Sequence, residues 1–468
     1  MITRIWVQQQ LSKPEKEVES FCKLKSIDVG SCRQLEYVLP SYMLPQLHNL
    51  LQLDVKDCTE LEVIVSNKLK EKEATNNDIL VFPRLETLEL VNLYNLKCFC
   101  TGTDQLLFSH KVAFPALERL RIWNMPSITE IWDKTPVLEP EKEIESFSKL
   151  ATITISFCGQ LVYVLPSYML PRLQNLQELK IWHCKEVEVI VSKELKEKEA
   201  TNNDTIVFSQ LKAVEFDDLP KLKSFNTGTQ LFFSNIKVAF PALEHLTIRK
   251  VPMLKEIWDK QPLSEPEKKP KSFYKLMSIH VEECDQLVYL FPSYMLPQLR
   301  NLQKLVITQC KEMEEIISNK HKDKEATNNN IILFAELKTV ILQFLPNLKR
   351  LCSETQLGFS NKDAFPVLKI NIEELRIMYP GQLAWLKASC IAPNLMFLVN
   401  GTSTKEVAIE ESGTSGKDED SNDHDKEGED GEEDVKNADD NKGVGGENKD
   451  EDEEEEEEET EDHISNLD

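Results

Sequence analysis

No apolar run in this 468-residue chain approaches the roughly 20 residues that a membrane-spanning helix needs. The opening residues, Met1 to Gln10, lack the apolar core and small-residue exit of a secretory signal. These absences predict a location in the cytoplasm, or also the nucleus, with no membrane insertion. Catalytic signatures are missing as well. G-x-x-x-x-G-K-[ST], H-E-x-x-H, G-x-S-x-G and G-x-G-x-x-G do not occur, and the one Gly-Lys pair, Gly416-Lys417, is followed by Asp418. The eight histidines are scattered, and no carboxylate pair is set apart for acid–base work. Cys98-x-Cys100 has no second pair at zinc spacing, and Cys22, Cys352 and Cys390 are isolated. The expectation is a protein that is not an enzyme and holds neither metal nor cofactor.

A basic surface is also absent. The net charge is −25, but it is not spread along the chain. Residues 411–468 hold 28 acids and 5 lysines, including ten consecutive acids from Asp450 to Glu459, which leaves 52 acids and 50 bases in everything before them. That balance excludes a nucleic-acid footprint on the body. Residues 401–468 have almost nothing to bury and read as a disordered acidic tail, able to hold basic proteins weakly and in a salt-sensitive way.

What the chain has is repetition. Leu39–Pro45 reads Leu-Pro-Ser-Tyr-Met-Leu-Pro; it recurs at Leu165–Pro171 and, with one change, at Phe291–Pro297, a spacing of 126 residues. Lys-Glu-Ala-Thr-Asn-Asn begins at Lys72, Lys198 and Lys324 on the same period. Each long copy divides into four shorter units anchored on Leu24, Leu50, Leu85 and Leu117, and the series continues from Leu150 through Leu337 to a last unit near Leu375. About twelve units result, in copies spanning 21–146, 147–272 and 273–400, with a partial unit over 1–20.

Each unit carries L-x-x-L-x-L or a close variant. The last two apolar positions, separated by one residue, point to the same side of a short strand. One unit alone leaves its apolar flanks bare, so units must stack. The pattern is that of the leucine-rich repeat. It predicts an α/β repeat solenoid: a horseshoe with a parallel strand ladder on the concave face and mostly irregular loops or short helices outside. Cys32, Cys58, Cys158, Cys184, Cys284 and Cys310 share one turn position, where Met125, Leu219, Val251 and Leu345 stand in other units. A site that accepts Cys or Leu is small, buried and apolar, so these six read as a structural turn ladder. Trp6, Trp132 and Trp258 read as packing residues, and the lysine-rich stretch from Lys68 to Asn77 as a solvated convex loop.

Three stretches narrow the resemblance. Cys310-Lys-Glu-Met-Glu-Glu-Ile-Ile317, with Cys58–Val65 and Cys184–Val191, resembles a C-x-x-M-E-E-I-I signature. Leu345–Cys352 and Leu219–Phe225 resemble the unit that follows it, and Phe240–Ile248 with Met253–Trp258 the unit after that. In this order they are similar to the C-terminal repeats of plant coiled-coil, nucleotide-binding, leucine-rich-repeat disease-resistance proteins, over about residues 1–400. That resemblance implies a non-catalytic recognition module of plant intracellular immunity, whose protein partner is a pathogen effector or the receptor's own switch domain. In that family nucleotide binds a separate domain, whose phosphate-binding loop is not in these residues. Ile2–Trp6 matches Ile128–Trp132, so Met1 falls inside a unit, and the expectation is a truncated or fragment receptor.

The three copies can be compared with one another. Outward strand positions read Asp28, Thr154 and His280 in the first unit type; Asp54, Lys180 and Val306, then Lys56, Trp182 and Thr308, in the second; Trp123 and Arg249 in the fourth. Loops that stay constant beside strand positions that change suggest a surface diversified for contact. The candidate partner-binding residues are Arg121, Trp123, Lys180, Trp182, Asp217, Arg249 and His280. The alternative reading is an acidic leucine-rich nuclear protein that binds basic partners such as histones, which rests on the order of repeat body then acidic tail.

Overall fold

Alternation of side chains along each short strand decides the architecture. In rung after rung the second and fourth residues are buried: Leu53 and Val55, Leu88 and Leu90, Leu120 and Ile122, Ile153 and Ile155, Leu179 and Ile181, on to Val340 and Leu342. The first, third and fifth residues face the other way. The computed structural model describes residues 21–66, 79–101, 106–133, 146–192, 206–226, 233, 238–258, 272–318, 336–352, 374–378, 397–399 and 402–403. The chain divides into Met1–Val407 and Ala408–Asp468, and all described residues belong to the first unit. The acidic tail, the Lys-Glu-Ala-Thr-Asn-Asn segments and Trp6 lie outside the described residues.

The rungs pair into one fourteen-stranded sheet. In order they are Ser26–Gly30, Gln52–Lys56, Thr87–Val91, Arg119–Trp123, Thr152–Ser156, Glu178–Trp182, Ala213–Asp217, His245–Arg249, Ser278–Glu282, Lys304–Thr308, Thr339–Gln343 and Glu374–Met378, then Phe397–Val399 and Thr402–Ser403. All neighbours run parallel in unbroken register except the last, antiparallel pair. This is the parallel ladder that the repeat pattern predicts. Leu375, out of step in sequence, pairs in register with Val340.

The far side of the stack is more ordered than the expected irregular loops. Tyr37–Pro40, Val63–Ser66 and Cys98–Cys100 form a three-stranded sheet, and equivalent sheets recur at Tyr163–Pro166, Val189–Ser192 and Ser224–Asn226 and at Tyr289–Pro292, Glu315–Ser318 and Arg350–Cys352. Short β-branched runs such as Val63-Ile-Val65 favour this. The Ser-Tyr-Met-Leu-Pro segments form 3-10 helices, Ser41–Leu47, Ser167–Arg172 and Ser293–Gln298. Leu, Met and Phe between the two layers make one continuous core.

Aromatic packing shows that the copies fold alike. Phe114 lies 5.4 Å from Phe82, 5.2 Å from Phe99 and 5.5 Å from both Phe108 and Phe147. One copy later Phe240 lies 5.6 Å from Phe208, 5.3 Å from Phe225, 5.1 Å from Phe233 and 5.6 Å from Phe273. Trp132 and Trp258 are buried, and their indole N–H groups donate to Val164 O at 2.8 Å and Leu290 O at 2.6 Å. They are packing residues with one satisfied polar atom each.

The residue after each of the first eleven rungs takes a left-handed backbone conformation: Ser31, Asp57, Asn92, Asn124, Phe157, His183, Asp218, Lys250, Glu283, Gln309 and Phe344, with φ from 51° to 58°. None is glycine. The turn aims that residue's N–H at the next rung, as in Asn92 N to Trp123 O at 2.9 Å and Phe157 N to Trp182 O at 3.0 Å. Asn and Asp tolerate this region, whereas a bulky side chain there is an outlier. The next residue is the cysteine wherever a unit carries one. Cys58, Cys158, Cys184, Cys284 and Cys310 are fully buried, and each thiol donates to the carbonyl two residues back. Cys32, in the first described rung, is half-buried.

Candidate functional site

The open face of the ladder, opposite the core, carries the seven candidate residues in two adjacent rows. Arg121, Lys180 and His280 occupy the third position of their strands, and Trp123, Trp182, Asp217 and Arg249 the fifth. Register puts Trp123, Ser156, Trp182, Asp217, Arg249 and Glu282 side by side on consecutive rungs. Several positions that alternation marks as outward are buried instead. Asp54, Val306 and Thr308 are covered, and Asp54 Oδ2 accepts hydrogen bonds from its strand neighbours Gln52 at 3.0 Å and Lys56 at 3.1 Å. At Asp54, longer side chains of the same strand fold over a short one.

Charge is mostly neutralised within the face. Arg249 Nη2 donates to Glu215 at 2.9 Å and to Asp217 at 2.8 Å, so two of the candidates hold each other. Lys180 pairs with Glu178 at 2.6 Å. His280 Nε2 sits 3.5 Å from Glu282. Burial lowers its pKa below the usual imidazole value; Glu282 and Asp217 oppose that shift, and Arg249 and Lys304 add to it. Arg121 is looser. Its nearest carboxylate, Glu89, is 3.9 Å away and is already held by Lys56 at 3.2 Å.

The two tryptophans are half-buried rather than fully exposed, because they meet. Ser156, small and fully buried, stands between their rungs, and the indoles touch edge to face at 6.2 Å. The Arg121 guanidinium lies 5.1 Å over the Trp123 ring. Phe157 and His183, both in left-handed turns, were not among the candidates. Phe157 lies 5.2 Å from Trp123 and stacks on His183 at 4.4 Å, and His183 Nδ1 is 2.9 Å from Asp218 Oδ2. A phenylalanine at a turn position that is otherwise mostly polar was the signal available in the sequence. Trp182 Nε1, Ser156 Oγ, Asp217 Oδ1 and Arg249 Nε are buried without a hydrogen-bond partner.

Among the described residues no His, Cys, Asp or Glu cluster could hold a metal ion. No helix there is long and apolar enough to cross a membrane.

A family model described as plant disease resistance protein RPS2-like, leucine-rich repeats, matches residues 2–112, 137–235 and 242–384. Among solved structures, a leucine-rich repeat protein from Bacteroides ovatus is similar over 80% of this chain and 87% of its own, with 10% identity and a TM-score of 0.24. So low a score carries no argument, and the assignment rests on the ladder and the family match.

Proposed function

From the premise that the chain belongs to the RPS2-like leucine-rich repeats of plant disease resistance proteins, a family of non-catalytic interaction scaffolds, we propose that it recognises a protein ligand through the open face of its ladder. The ligand is a pathogen effector or the nucleotide-binding switch domain of a receptor of this family, met in the cytoplasm or the nucleus. One observation carries this reading: exposed positions did not all change between copies. Lys97–Glu62 at 2.7 Å recurs as Lys223–Glu188 at 3.0 Å and Lys349–Glu314 at 2.8 Å, although all these side chains are exposed. Over the same copies the open-face rows exchanged Asp28 for Thr154 and His280, and Lys56 for Trp182 and Thr308. Scattered positions away from the ladder changed too, as Arg33 did to Gly159 and Asp285, but this ion pair was kept while both open-face rows changed charge and size.

The test is calorimetric titration of the purified chain with separately expressed switch domains of this family and with effector proteins. Binding that Trp123→Ala weakens and Lys223→Ala leaves intact supports the open face. The acidic tail suggests the other reading, capture of basic proteins. Deleting residues 401–468 separates the two, because ligand retained without the tail belongs to the ladder.

A further inference from the structure

We infer that the ring cluster of Trp123, Phe157, Trp182 and His183, with Arg121 at its edge, is a docking patch for a partner segment that places a carboxylate beside an aromatic side chain. This deepens the recognition reading above and rests on it. The rings belong to the middle of the ladder and span three consecutive rungs. Their counterparts in the other copies are polar: Ser31 and Glu283 stand for Phe157, Lys56 and Thr308 for Trp182, Asp57 and Gln309 for His183, and Arg249 for Trp123. The same backbone is built without them elsewhere, so the scaffold does not require the rings.

The cluster also runs against local preference in several ways at once. Phe157 holds φ 55°, a conformation its bulk disfavours, and remains 39% exposed. Within the cluster and beside it, Trp182 Nε1 and Ser156 Oγ are buried without hydrogen-bond partners. Such departures gather where a surface is built to bind. An aromatic surface of this kind takes an aromatic partner edge to face or offset.

Charge complementarity sets the rest of the partner. The carboxylates of the neighbouring rungs, Glu215 and Asp217, are taken up by Arg249, and Lys180 by Glu178. Arg121 is different: its side chain is 46% exposed, held against Trp123, and only loosely paired with Glu89. A guanidinium fixed in this way presents its planar fork to a carboxylate. The fork lies 5.1 Å from the Trp123 ring, within reach of adjacent residues of a turned segment, since extended neighbours point to opposite sides.

Fluorescein-labelled dodecapeptides with a Gly/Ser frame and a central Asp-Phe, Lys-Phe or Asp-Ala test this by anisotropy against the whole chain. Asp-Phe is expected to bind about tenfold more tightly than either control, the size of one hot-spot contact. Arg121→Glu should turn the preference toward Lys-Phe. Phe157→Asn should abolish it while raising thermal stability, since asparagine suits the left-handed turn; loss of binding then cannot be blamed on unfolding. Equal affinity for the three peptides overturns the proposal, as does binding unchanged in Phe157→Asn. So does concentration-dependent self-association that Phe157→Asn removes, because the patch then seats a second copy. Should Phe157→Asn leave switch-domain or effector binding intact while Arg249→Glu removes it, open-face recognition stands and this patch falls.

Discussion

Replacing Phe114 or Phe240 by alanine provides a paired experiment within one molecule. Both rings are fully buried, and each touches four others at nearly the same centroid distances, 5.2–5.5 Å around Phe114 and 5.1–5.6 Å around Phe240. Removing a buried Phe costs about 3–5 kcal/mol, and aromatic pairs are worth ~0.5–1.5 kcal/mol beyond area, which puts both variants toward the upper end. The two sites lie in separate copies with no shared neighbour, so the double variant should lose the sum. In a stacked array each lesion acts on its own segment, so urea unfolding followed by circular dichroism should gain an early transition whose amplitude matches about one copy. The reasoning fails if either variant loses less than about 1 kcal/mol, or if the two differ by more than the roughly 0.5 kcal/mol that marks real non-equivalence.

Burial holds the His280 pKa below its usual 6.5, so the unfolded chain takes up that proton first. The stability is therefore complete above about pH 6.5 and is lost as pH falls toward the lower folded value; urea midpoints across that range should show the slope, and His280→Gln should flatten it. Trp258→Phe removes the donor that reaches Leu290 O at 2.6 Å and should cost about 1–3 kcal/mol, with Trp132→Phe matching it; no loss in either would mean that the indole bond is replaced without penalty. In native protein a thiol reagent, mapped by mass spectrometry, should reach Cys22 and Cys32 before the seven cysteines that are buried among the described residues. The neighbouring thiols of Cys184 and Cys310, then burial, hold Cys158 and Cys284 in the unreactive protonated form. Labelling of Cys158 as fast as Cys22 would contradict the stack.

The ladder was legible because burial repeats at fixed offsets: Leu53 and Val55 read as inward from their spacing alone, and so did Cys58 and Cys184. The left-handed row was not read, although Asp57, Asn92, Asn124 and Asp218 carry the usual signal; the mixture with Lys250, Gln309 and Phe344 concealed it. Within the candidate site, alternation placed Trp123 and Trp182 correctly in one row. It could not show that Ser156 lets them meet across a rung, that Arg249 closes on Asp217, or that Asp54 is covered by its own strand. The first two outcomes depend on side chains of different units, 32 residues apart for Arg249 and Asp217, and the third on side-chain lengths within one strand; apolar spacing contains neither.

The seams between copies have an evolutionary consequence. Where the first copy meets the second, Phe147 N donates to Phe114 O at 3.2 Å and Trp132 to Val164 O; where the second meets the third, Phe273 N donates to Phe240 O at 3.1 Å and Trp258 to Leu290 O. Both joints are the same joint. A gene that gains or loses one whole copy by unequal exchange therefore encodes no joint between copies that the stack does not already make. The product differs by four rungs, about 19 Å of ladder at ~4.8 Å each. Reach along the ladder can thus vary by inheritance in discrete steps, independently of the point changes that alter what a given rung displays.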